Sequence, residues 1–287
     1  GLERTRAQRL ERHLCRRGRH DRLAIIVPRN TAATGSDLLE EVQVGRQRSG
    51  KRLTTMHNGN ALKTLMTAPE NINAPRSVPV IRFRGVAKSF TTASGTLQAV
   101  QDVNLDVQEG EFVSLVGPSG CGKSTLLNMV AGIFPPNDGE VAYRGAPVKA
   151  FHSSVGYMTQ NDHLLPWRTV AGNIAVPLEI RGARRSEIAH KVDELVEFVG
   201  LKGFANSYPL QLSGGMRKRT ALARLLAYDP ETLLLDEPFA ALDAQLRLYM
   251  QMELRRIVRA LGKTTLFVTH DLDEAVALAD RCAIFSP

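Results

Sequence analysis

The chain predicts an α/β fold in which a helical insert separates two halves of a parallel sheet. Three observations carry this. A short apolar run, Glu111–Val116, leads straight into the glycine-rich stretch Gly117-Pro118-Ser119-Gly120-Cys121-Gly122-Lys123-Ser124. Further short apolar runs at Val155–Met158, Leu233–Leu235, Thr265–Val268 and Ala283–Phe285 have the length and composition of buried strands. Between them, residues from about 162 to 226 are rich in helical periodicity.

The elements follow in order. Residues 1–77 read as a basic extension that does not fold, with one short apolar patch at Leu23–Val27. Its Arg-rich, acid-poor composition is also a transit-peptide trait. The first residue is Gly rather than Met, so Met56 and Met66 stand as alternative starts. The folded part begins near Val78. Val80–Val86 and Leu97–Val107 read as strands, the second ending at a Glu109-Gly110 turn. Ser124–Ala131 continues the glycine-rich loop as a helix, with Gly132 as its stop. Asn137-Asp138-Gly139 is a turn signal before a strand at Glu140–Tyr143. Within the insert, Ser186 opens a helix that places Ile188, Val192, Leu195, Val196 and Val199 on one face, and Gly200 ends it.

Composition narrows the function classes. At 287 residues and 43% hydrophobic, the chain can bury a full core. The net charge of +8 belongs to the tail: residues 1–55 hold 13 Lys/Arg against 6 Asp/Glu, while residues 76–287 carry only +1. A nearly neutral core argues against nucleic-acid binding as its main business. Cys15, Cys121 and Cys282 lie far apart without metal-ligand spacing, which suits a reducing compartment. No apolar run approaches the roughly 20 residues that span a bilayer, so a membrane role requires a partner.

The residues with chemistry sit where strands end. A Gly-x-x-x-x-Gly-Lys-Ser loop lets successive backbone N–H groups converge on phosphate oxygens, and the following helix adds positive potential at its N-terminus. Lys123 would bridge the β- and γ-phosphates, and the Ser124 hydroxyl would hold Mg²⁺. Asp236-Glu237 closes a buried strand, where α/β folds bind ligands. Asp236 would reach the metal through water, leaving Glu237 free to polarise an attacking water. His270, after Thr269, could contact the γ-phosphate or hold that water. The Gln160 amide could sense Mg²⁺ and the γ-phosphate where the insert joins the core. Alone, either would pass for a surface residue. Phe90 could stack on adenine or belong to the core. Finally, Leu212-Ser213-Gly214-Gly215-Met216 is a second glycine-rich, serine-bearing turn opening a helix, hence a second anion site. One triphosphate is not cradled twice in one fold. Two copies facing each other resolve the redundancy.

In the order Phe90, Lys123, Gln160, Ser213, Asp236-Glu237, Asp243 and His270, residues 78–287 resemble the ATP-binding cassette family. The resemblance implies a P-loop nucleotide hydrolase core with a mixed sheet, an antiparallel β subdomain and a helical insert. It also implies a head-to-tail dimer enclosing two ATP molecules with Mg²⁺. Gly117 to Ser124, with Thr125, would hold the nucleotide of one copy. Ser213, Gly214 and Gly215 would touch the γ-phosphate held by the other, and Ala240-Ala241-Leu242-Asp243 would report across the interface. Met216 stands where most members have Gln, and a thioether cannot replace an amide's hydrogen bonds. Leu212–Arg217 together with Leu164-Leu165-Pro166-Trp167-Arg168-Thr169-Val170 look like the nitrate, sulfonate and taurine import group. That group normally continues past the strand at Ala283–Phe285, so the end at Pro287 suggests a fragment.

These readings imply an ATPase subunit at the cytoplasmic face of the inner membrane. It would act with permease subunits and, through them, an extracytoplasmic substrate-binding protein. Leu164–Trp167 either seats a helix of the permease or packs inside the insert. The rival class, a soluble cassette ATPase working on nucleic acid or ribosomes, fits poorly. Lys123 and Ser213 are 90 residues apart without heptads between them, and no Cys-rich zinc module is present. A catalytically silent cassette is disfavoured because Lys123 and Glu237 are both there.

Overall fold

The computed structural model describes residues 23–26, 78–92 and 95–285. A six-stranded sheet runs β1-β10-β4-β9-β8-β7, built from Leu23–Ile26 (β1), Phe112–Val116 (β4), Val155–Met158 (β7), Thr232–Asp236 (β8), Thr264–Thr269 (β9) and Arg281–Phe285 (β10). Strands β10, β4, β9, β8 and β7 are mutually parallel. Their inner members are buried along their whole length, which is why they read as unbroken apolar runs rather than alternating ones.

Adjacent positions on these strands nonetheless serve different cores. Val113, Leu115, Leu266 and Val268 face a second sheet, while Phe112, Val116 and Phe267 face the helices. The second sheet is antiparallel, in the order β3-β2-β5-β6, from Ile81–Thr92 (β2), Gly95–Val107 (β3), Asp138–Tyr143 (β5) and Ala146–Pro147 (β6). The expected mixed sheet, antiparallel subdomain and helical insert are thus all present.

The helices are Lys123–Val130 (α1), Val170–Ile180 (α2), Arg185–Phe198 (α3), Gly214–Tyr228 (α4), Ala244–Ala260 (α5) and Leu272–Leu278 (α6). The insert comprises α2, α3 and α4. Val192, Leu195, Val196 and Val199 are buried on the face of α3 that their spacing indicated, with Ile188 packed at its edge.

One expectation needs correction. The apolar patch inside the extension does not stay apart from the fold, because Leu23–Ile26 pairs antiparallel with β10, Leu23 opposite Phe285. The outer edge of β10 would otherwise present a row of unpaired backbone groups, and a short apolar segment satisfies it. The remaining expectations for residues 1–77, including Cys15, Met56 and Met66, lie outside the described residues.

Candidate active site

Parallel register assembles the site. Val116 lies beside Thr269, Val268 beside Asp236, and Leu235 beside Met158. The residues that follow each strand, the glycine-rich loop, His270, Glu237 and, one position further on, Gln160, therefore emerge at one edge, the carboxyl edge where α/β sheets bind ligands.

The loop is built for an anion. Gly122 adopts φ +94°, and a Cβ there would lie 2.3 Å from the carbonyl oxygen of Ala99. Only glycine fits such a turn. The loop opens α1, whose first residue, Lys123, is buried. Its ammonium donates to the carbonyls of Gly117 and Pro118 at 2.7 Å each. Ser124 follows, its side chain close enough to the Asp236 carboxyl to pull that acid down. Burial pushes the Asp236 acid up, against the pull of Ser124 and of the Lys218 and Lys123 ammonium groups.

Glu237 has a left-handed backbone, φ +49°. Strain of this kind in a non-glycine residue concentrates at functional sites. Its amide donates to the carbonyl of Val268, tying the turn after β8 to β9. Its side chain is only 14% exposed, and Oε1 lies 3.3 Å from Nδ1 of His270, whose own side chain is 61% exposed. The acid and imidazole that the sequence proposed for the reaction centre are therefore neighbours.

The other predicted residues take four different positions. Gln160 is exposed, two residues past the end of β7. Phe90 lies within β2, partly buried, edge-on to Phe134 at 5.5 Å with the Lys88 ammonium over its ring. Ser213 is exposed and caps α4, its hydroxyl accepting from the amide of Met216. The Met216 side chain packs against the core of the insert. The position thus serves apolar packing, and the hydrogen bonding to Ser213 uses its backbone. Gly215 sits under the Ala240–Asp243 loop: a Cβ there would meet the carbonyl of Ala241 at 3.0 Å. Asp243 caps α5 through the amide of Leu246.

Sequence reasoning missed the clamp that ties α4 to the Gln160 turn. Arg217 donates to the Asp162 carboxylate at 3.0 Å, Lys218 to the carbonyls of Gln160 and Glu237, and Arg224 to the carbonyls of Asp162 and His163. Burial lowers the Lys218 ammonium, while Glu237, Asp236 and Asp162 oppose that shift. The signal available was the basic run Arg217-Lys218-Arg219 directly after the signature turn.

The Leu164–Trp167 alternative resolves in favour of exposure. Trp167 is 70% exposed, so it does not pack inside the insert. The buried Asn173 shapes that loop, accepting from the amide of Leu165 and donating to the carbonyls of Leu165, Arg168 and Thr169. Ile180 and Leu210 of the same insert are 81% and 92% exposed. Among the described residues no helix is long and apolar enough to cross a membrane.

Comparison with known proteins is consistent with this geometry. The ABC transporter family profile matches residues 100–240. The aliphatic sulfonates import ATP-binding protein of Bacillus thuringiensis subsp. konkukian is 44% identical over 206 residues, 72% of this chain and 81% of that protein. The sulfate/thiosulfate import ATP-binding protein of Caulobacter vibrioides is 46% identical over 213 residues, 72% of this chain and 62% of that one. Among solved structures, the dimeric structure of a bacterial ABC transporter cassette superimposes with a TM-score of 0.67 at 32% identity, covering 71% of this chain and 94% of the other. A dimeric post-hydrolysis state of a cassette bound to ADP and Pi gives 0.64 at 33% identity, covering 70% and 94%.

Proposed function

We propose that this chain, which belongs to the ABC transporter family and is an ATPase, powers a separate membrane permease as a head-to-tail dimer. One observation carries the dimer. The Ser213-Gly214-Gly215 turn is a second helix N-terminus suited to an anion, and among the described residues the serine hydroxyl bonds the amide of Met216 in its own helix. A second copy supplies the triphosphate that this turn lacks.

In the roles this assigns, Gly117 to Ser124 and Thr125 cradle the phosphates and Lys123 neutralises the β- and γ-oxygens. Phe90 stacks on adenine. The oxygens of Ser124, Gln160 and Asp236 suit a hard cation, and the hydroxyl–carboxyl pair of Ser124 and Asp236 already stands at the loop. Mg²⁺ held by these groups would offset the negative charge of the phosphates. Glu237 takes the proton of the attacking water, and His270 holds the γ-phosphate side of the same pocket. Ser213 and Gly215 close over the partner's nucleotide, and Asp243 reports that closure.

The exposed Trp167 loop gives the permease an apolar anchor of the kind that dominates protein interfaces. The cargo is a small anion such as nitrate, a sulfonate or taurine, delivered by an extracytoplasmic binding protein. The chain thus works at the cytoplasmic face of the inner membrane. The import proteins of aliphatic sulfonates and of sulfate among its relatives support this class.

Dilution tests the reading. Turnover per chain should fall as the protein is diluted below its dimerisation constant, and mixing Lys123→Ala with Ser213→Arg chains should restore about one working site per pair. Turnover per chain independent of concentration would overturn the shared enclosure.

A further inference from the structure

His270 presents a problem of placement. Its imidazole is more exposed than buried, so apart from the contact with Glu237 its position rests on the backbone turn that carries it. That turn is locked from beneath. Thr269 is buried, and its hydroxyl accepts from the amide of Asp271 at 3.0 Å, which leaves its proton to donate to Oε2 of Glu274. Glu274 is 8% exposed, and its Oε1 accepts from Nε2 of the buried Gln251 at 2.8 Å.

Glu274 occupies the third position of α6, where a glutamate usually turns back to bond the amide of its own capping residue. Here Thr269 takes that amide, and the carboxyl of Glu274 is free to join two other elements. Burial pushes the Glu274 acid up, while its bonds to Thr269 and Gln251 and the nearby Arg247 guanidinium pull it back.

Gln251 lies on α5, one turn after Arg247, so both project from one face of that helix. Arg247 donates to the carbonyl of Leu242 at 3.0 Å, inside the Ala240–Asp243 loop. A continuous set of contacts thus runs from that loop along α5 to Glu274 and on to the residue before His270.

We propose that Glu274 is a positioning residue: by joining Thr269 to Gln251 it sets the His270 imidazole against Glu237 and links that placement to the Ala240–Asp243 loop. The proposal rests on the assignment of His270 to the hydrolytic site given above.

The test is a double-mutant cycle in the full chain with a spectroscopic arm. Glu274→Gln keeps the side chain's shape but turns an amide donor toward one of two groups that are themselves donors. It should lower kcat about ten- to hundredfold, the scale of a misplaced catalytic group, with KM for ATP nearly unchanged. In a His270→Ala background the same substitution should cost less than about twofold, because non-additivity marks a shared route. The imidazole NMR resonances of His270, assigned by their loss in His270→Ala, should shift in Glu274→Gln without nucleotide. Thr269→Val fills the same volume without the hydroxyl and should reproduce each effect, which keeps the test usable if Glu274→Gln does not fold. Equal losses with and without His270, or unmoved imidazole resonances, would overturn the proposal alone. Undiminished turnover in His270→Ala would instead remove the site reading beneath it.

Discussion

The parallel core and the helical insert handle their functional residues in opposite ways. In the core, Lys123 and Asp236 are buried, Glu237 is nearly so, and each is tied to a neighbouring strand end or loop of the same chain. In the insert, Ser213 lies at the surface, and Trp167, Ile180 and Leu210 project into solvent. Desolvated groups in fixed geometry suit chemistry, because charges act more strongly where water is excluded. Exposed apolar side chains and an open helix N-terminus suit other molecules. The core thus presents desolvated groups in fixed geometry and the insert presents exposed ones, with the Arg217, Lys218 and Arg224 clamp joining them.

The strongest way to break this contrast is Glu237→Gln. Steady turnover should drop by about 10²–10⁴-fold, the usual contribution of a general base, while ATP binding measured by fluorescence or calorimetry persists. Hydrolysis at the wild-type rate would remove Glu237 from the chemistry.

Two glycines sharpen the comparison next. Gly122→Ala forces a Cβ against the Ala99 carbonyl at φ +94° and should cost on the order of 1–3 kcal/mol of loop strain, read as weakened ATP affinity. Gly214→Ala at the head of α4 meets nothing nearer than the Arg217 guanidinium at 3.9 Å. It should leave ATP affinity intact. Equal losses in both would erase the distinction between cradle and docking turn.

Trp167→Ala tests the insert by itself. Truncating an exposed side chain should change folding stability by less than about 0.5 kcal/mol, yet weaken association with permease subunits by roughly 2 kcal/mol, as a hot-spot residue does. Co-purification and thermal melts read the two quantities separately. Undiminished association in a folded variant would remove the coupling role.

The smallest effect concerns Cys282. Burial pushes its thiol up to about 12, so at pH 8 it stays protonated and should resist alkylation in native protein. Peptide mapping after labelling, native against denatured, checks this. Ready native labelling would show that β10 opens.

The glycine-rich loop, the signature turn and the acidic pair were legible because local chemistry announces them. A backbone that turns left-handed favours glycine, and a run of Leu ending in two acids reads as a buried strand reaching an edge. Glu274 was not legible. In the sequence, Asp271-x-x-Glu274 looks like a helix cap, and only the fold shows Thr269 taking the capping amide. For the Lys218 clamp the basic run showed the donors, but its partners are backbone carbonyls, which no side-chain pattern records. The Leu23–Val27 patch read as unattached because strand pairing partners, here those of Leu23–Ile26, have no local signature.

By itself the sequence determined the kinds of group present and the local geometry each demands: which loop turns on glycines into a helix, which helices carry caps, which runs are buried. The tertiary structure alone decided which of them meet. Parallel register sets Val116 beside Thr269 and Asp236 beside Val268, bringing the lysine loop, the glutamate and the histidine to one edge. The physical reason is range. Propensity and backbone strain act over a few residues, whereas register is settled by burying two faces of a sheet at once.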